Sequence, residues 1–60
     1  MSEAMTIAEV SKELRCSESM VRKLMKVAGL PYVPLGNRKI VRRGDLDAWI
    51  ESRVEAKELV

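Results

Sequence analysis

Two capped amphipathic stretches separated by only three residues constrain this chain more than any other feature of it. The first opens on Thr6-Ile7-Ala8-Glu9. That spacing makes a capping box, in which the Thr6 hydroxyl accepts from the Glu9 N–H and the Glu9 carboxylate accepts from the Thr6 N–H. Met5 and Val10 stand at the two positions of a hydrophobic staple. Ile7, Val10, Ser11 and Leu14 fall at i, i+3, i+4 and i+7, a single inward stripe. A helix over 7–14 is predicted. After the break Arg15-Cys16-Ser17, Ser17 is a good N-cap for a second helix over 18–28. Its apolar stripe is Val21, Leu24, Met25 and Ala28; Gly29 suits the C′ position and Pro31 blocks continuation. Two short helices joined by about three residues are the pattern of a helix-turn-helix.

The remainder of the chain reads as a hairpin and a third helix. Tyr32-Val33-Pro34-Leu35 is a short strand, at an edge because Pro34 has no N–H for a ladder. Gly36-Asn37-Arg38 is a turn, and Lys39-Ile40-Val41 is the returning strand. Ile40 and Val41 are adjacent, so only one can face the core, and Val41 is the expected one. Gly44-Asp45 opens a helix expected over 45–56, with Asp45 and Asp47 favourable at its positive end. Leu46, Trp49, Ile50 and Arg53 share its stripe. Trp49, the largest apolar side chain, is expected at the centre of the core. Residues 1–4 and 57–60 read as frayed. Val54, Leu59 and Val60 could touch a neighbouring copy or simply belong to that tail. The expectation is one domain over 1–60. Its fold class is α+β, mostly α: a winged helix-turn-helix with helices 7–14, 18–28 and 45–56 and a two-stranded wing over 32–41. A chain of 60 residues buries only about 60% of its unfolded surface, so its core must be small.

Composition excludes several classes. One Cys and no His provide neither a disulfide framework, nor a zinc site, nor the usual general base. Tyr32 and Trp49 are too few to stack several bases on an aromatic platform. No apolar run approaches the roughly 20 residues of a membrane span, and MSEAMTIAEV has neither the basic nor the apolar part of a secretion signal. With a free thiol, that points to the reducing cytosol, so a cytoplasmic location is expected. Asp45 and Asp47 are better explained as helix-terminal charges than as an acid/base pair. Cys16 has no His to activate it and reads as a structural thiol. Gly36 and Gly44 are isolated and cradle no phosphate. The expectations are therefore no catalysis, no cofactor, no metal, no membrane and no small-molecule ligand.

Charge supplies the positive signal. The net +2 hides a segment, 22–43, that carries Arg22, Lys23, Lys26, Arg38, Lys39, Arg42 and Arg43 and no acid. Acids dominate on both sides of it. Such segregation is the footprint of a polyanion-binding face, although solvated basic surfaces are also common. On the second helix, Ser19, Arg22, Lys23 and Lys26 follow helical spacing opposite the apolar stripe. If that helix lies in a major groove, Glu18, Ser19 and Arg22 reach base edges. Lys23 and Lys26 then meet phosphates, as do Arg42 and Arg43 beyond the hairpin. Asn37, Arg38 and Lys39 sit at the hairpin tip, where a wing enters the minor groove. Lys and Arg populate any exposed helix, and a basic hairpin tip can serve solubility alone.

The stretch from Thr6 to Ile50 resembles the excisionase family, also called recombination directionality factors, and the similar DNA-binding head of MerR-type regulators. The marks are T-I-A-E-V-S-K-E-L, C-S-E-S-M-V-R-K-L, G-L-P-Y-V-P-L-G-N-R-K and R-R-G-D-L-D-A-W-I, in unbroken order. The resemblance implies a recognition helix at 18–28 and a wing at 32–41. It departs at Arg15, where the family has Gly in the turn, and at Lys39, where the family often carries an aromatic. A left-handed Arg15 would cost on the order of 1 kcal/mol. With the third helix close to residue 60, no effector domain is expected. The resemblance implies a phage or mobile-element protein acting in a bacterial cell. It would bind double-stranded DNA cooperatively at adjacent sites, bend it, and direct a tyrosine-type integrase towards excision. A small transcriptional regulator with the same surface is one alternative. A module docking an acidic protein is another.

Overall fold

Thr6 begins the first helix in the manner its spacing predicts: Glu9 N–H donates to the Thr6 hydroxyl at 3.1 Å and Thr6 N–H to the Glu9 carboxylate at 2.8 Å. The structure, a computed structural model, describes residues 3–54. Its elements are β1 (Ala4–Met5), α1 (Ile7–Leu14), α2 (Glu18–Val27), β2 (Val33–Leu35), β3 (Arg38–Arg42) and α3 (Arg43–Ser52). The strands form one antiparallel sheet in the order β1-β3-β2. Three helices with a small sheet make the expected α+β, mostly helical, winged helix-turn-helix.

The turn between α1 and α2 is a Schellman motif built on an arginine. Arg15 is left-handed (φ 57°, ψ 46°). Its N–H donates to the Lys12 carbonyl at 3.2 Å, and Cys16 N–H donates to Ser11 at 3.0 Å. Ser17 then caps α2, its hydroxyl accepting from Met20 N–H at 3.1 Å. The helix stops at Val27, one residue before the expected limit, with Gly29 left-handed beyond it (φ 74°).

The hairpin is tighter than predicted. Arg38 pairs with Leu35 and belongs to β3, leaving Gly36-Asn37 as a two-residue turn. A positive φ at Gly36 (59°) but not at Asn37 is the type II′ pattern, which matches strand twist. Tyr32 lies outside the strand. Pro34 is on the edge strand, as its missing N–H requires. Val41 is fully buried, so the inward register holds.

Three expectations are corrected. The N-terminal residues are not frayed throughout: Ala4 and Met5 pair with Arg42 and Val41, and Met5 is buried; residues 1–2 lie outside the described region. The third helix starts at Arg43, because the carbonyl of Glu3 accepts its N–H at 2.7 Å and so supplies from the tail a partner for the helix's first free donor. It ends at Ser52, short of the expected 56. The Ser52 hydroxyl donates to the Trp49 carbonyl at 2.7 Å, and Arg53 leaves the helical conformation (φ −108°, ψ 2°). Residues 55–60, including Leu59 and Val60, lie outside the described region, and Val54 is exposed.

Trp49 is also not the centre of the core. The buried apolar cluster is Met5, Val10, Val21, Met25, Leu30, Val41 and Leu46, drawn from β1, all three helices, β3 and the connection after α2. Trp49 is half-buried beside it, because its indole N–H needs a polar partner and finds the Ala28 carbonyl at 3.0 Å. The Arg53 guanidinium lies over the ring, 5.0 Å from its centroid, and donates to the same carbonyl. Together they close the C-terminal end of α2, where cations are favoured.

Candidate nucleic-acid interface

Burial of Val21 and Met25 fixes the rotation of α2, and with it which residues face outward. Glu18, Ser19, Arg22, Lys23 and Lys26 are all exposed. The helix is held at both ends, by Ser17 at its start and by Trp49 and Arg53 at its finish. Its outer row is therefore carried on a rigid support.

Two adjoining hollows lie between that row and the hairpin. One runs from the start of α1 to the hairpin tip and is lined by Thr6, Ile7, Ala8, Arg22, Asn37, Arg38, Lys39 and Ile40. The other lies between α2 and the base of the hairpin and is lined by Arg22, Lys23, Met25, Lys26, Tyr32 and Lys39. Arg22 and Lys39 border both, so the two form one continuous basic surface. No acid lines either. Two acids stand beside the surface: the Glu9 carboxylate is taken up by the Thr6 N–H at 2.8 Å, and the Glu18 carboxylate is 3.8 Å from the Arg22 guanidinium. Both side chains are more than half exposed, so this pair is easily exchanged for another partner.

The remaining cations of the basic segment are engaged elsewhere. Arg42 donates to Asp45 at 2.7 Å. Arg43 lies 3.2 Å from Glu13 and 3.6 Å from Asp47, and it lines a separate hollow with Glu3, Glu9 and Lys12. Its pKa is raised further above the usual arginine value, first by the hydrogen bond with Glu13 and then by the Glu13 charge. The structure thus brings Arg22, Lys23, Lys26, Asn37, Arg38 and Lys39 together, with Glu18 and Ser19 beside them. It sets Arg42 and Arg43 among carboxylates.

Tyr32 and the segment Thr6-Ile7-Ala8 line the surface without having been singled out from sequence. No charge marked them. Tyr32 had one legible signal, its position two residues before Pro34, which opposes Lys39. Cys16 is half-buried against the core. Among the described residues, no group of three or more His, Cys, Asp and Glu could hold a metal, and no helix is long and apolar enough to cross a membrane.

A family model described as a helix-turn-helix domain matches residues 4–54. Those bounds run from β1 to just past α3 and include the hairpin. No curated protein and no solved structure matches the chain significantly.

Proposed function

The chain belongs to the helix-turn-helix domain family, a family of small DNA-binding modules, and we propose that it reads duplex DNA with α2 in the major groove and the β2–β3 hairpin over the adjacent minor groove. The observation that carries this reading is the acid-free surface of two hollows meeting at Arg22 and Lys39. Glu18, Ser19 and Arg22 face base edges, where Arg pairs with guanine and Glu accepts from cytosine. Lys23 and Lys26 neutralise phosphates. Asn37, Arg38 and Lys39 form the wing. Arg42 and Arg43 serve as flanking phosphate contacts only by exchanging their carboxylate partners, so they contribute least.

The biological role proposed is that of an excisionase, in keeping with the resemblance over Thr6 to Ile50. A single module of this kind buries only about 600–1,000 Å² of its surface on DNA, which limits discrimination at one site. Several copies on adjacent sites overcome that limit, bend the DNA and steer a tyrosine-type integrase. Footprinting on DNA flanking the chain's own gene tests this. Protection of several abutting sites beside an attachment site is expected. A lone protected site over a promoter, with altered transcription, identifies a small regulator instead. No retarded band with duplex DNA at moderate salt, with retention by an acidic partner, identifies a protein-docking module.

A further inference from the structure

On the reading that this face meets duplex DNA, we infer that Tyr32 and Lys39 complete, with Lys23 and Lys26, a cleft for one phosphodiester strand, in which the Tyr32 ring positions the Lys39 ammonium. The register supplies the first support. Val41 is fully buried, and side chains alternate along a strand. Lys39 therefore shares the core-directed face of β3 with Val41, while Arg38 and Ile40 take the other face. Pro34 is opposite Lys39, and Tyr32 precedes Pro34 by two residues, in phase with it.

The Lys39 ammonium lies 5.9 Å from the centroid of the Tyr32 ring, within the range of a cation–π contact. Tyr32 is 39% exposed and stands in the hollow with Arg22, Lys23, Met25, Lys26 and Lys39. Four cations line it around one neutral ring and one thioether; no carboxylate lines the hollow, and among the described residues Arg22 alone of the four has an acidic partner, Glu18 at 3.8 Å, leaving the three lysines unbalanced. An anion entering the hollow relieves their mutual repulsion. Ammonium groups act as point charges on phosphate oxygens, and the ring offers apolar surface to the adjoining sugar. Arg38 and Lys39, neighbours at the tip in sequence, then have separate tasks: Arg38 enters the minor groove and Lys39 works with α2 on the backbone.

The test uses the full chain, a random-sequence duplex and a randomised duplex pool. Affinity is followed across about 50–200 mM salt, and preferred sequences are selected from the pool. Lys39→Ala should shallow the log–log salt slope by about 0.9 and leave the selected sequence unchanged. Tyr32→Leu should shallow it by part of that amount, whereas Tyr32→Phe, which keeps the ring, should bind as the parent does. Arg38→Ala should alter the selected sequence. A changed sequence preference with an unchanged slope for Lys39→Ala, or parent-like binding by Tyr32→Leu, overturns the cleft but not DNA binding. Failure of the parent chain to bind the duplex at low salt overturns both. Thermal melts of each variant separate loss of the cleft from loss of the fold.

Discussion

Arg15 holds a left-handed conformation that Gly adopts without cost, because its Cβ crowds the neighbouring carbonyl. The turn keeps its shape through the N–H groups of Arg15 and Cys16, which bond back to Lys12 and Ser11 whatever side chain is present. Arg15→Gly should therefore stabilise the protein by about 1 kcal/mol, raising Tm by roughly 4–8 °C in a thermal melt. An unchanged or lower Tm would show that the arginine side chain compensates for the strain. At the interface, Arg22 and Lys26 differ in position: Arg22 borders both hollows and Lys26 only one. On the proposed docking, Arg22→Ala relaxes preference at one base position, by about 1–3 kcal/mol. Lys26→Ala weakens all sequences alike. Selection from a randomised pool checks the pair, and identical behaviour removes the division between base and phosphate roles.

Among the elements, β1 is the shortest and does the most for its length. Its pairing with β3 covers Val41, buries Met5 and brings the Glu3 carbonyl to the first N–H of α3. One two-residue strand thus joins the sheet, the core and the start of a helix. Met5→Ala should cost about 2–5 kcal/mol, measured by chemical denaturation. A value near zero would return the N-terminus to the status of a loose tail. The recognition helix α2 is likewise supported from outside itself. Trp49 and Arg53 of the C-terminal segment close its last turn at the Ala28 carbonyl. Isolated helices of this length are marginal in water, so such tertiary anchoring is what keeps its outer row in place.

Across the whole molecule, the seven cations of the central segment divide into two populations. Arg42 and Arg43 bind Asp45, Glu13 and Asp47 and so connect β3, α1 and α3. Arg22, Lys23, Lys26, Arg38 and Lys39 remain on one acid-free surface. With three to five of these on phosphates, the log–log salt slope of duplex binding should lie between about −3 and −4.5. A titration of affinity against salt measures it directly. A slope near −6 would mean that Arg42 and Arg43 also leave their carboxylates for DNA.

Features whose physical cause lies within a few residues were legible in the chain alone. The capping box at Thr6, the Ser17 cap, the Gly29 stop, the edge position of Pro34 and the inward Val41 all rest on local hydrogen bonds or on helical and strand periodicity. Features that depend on residues far apart in the chain were set by the packing of the fold. It placed the carbonyl of Glu3 against Arg43, moved Trp49 from the core centre to the end of α2, and paired the Arg43 side chain with Glu13 of α1. Each of these is a pairing of polar groups across the fold, and no periodicity in the chain encodes which distant partner will arrive.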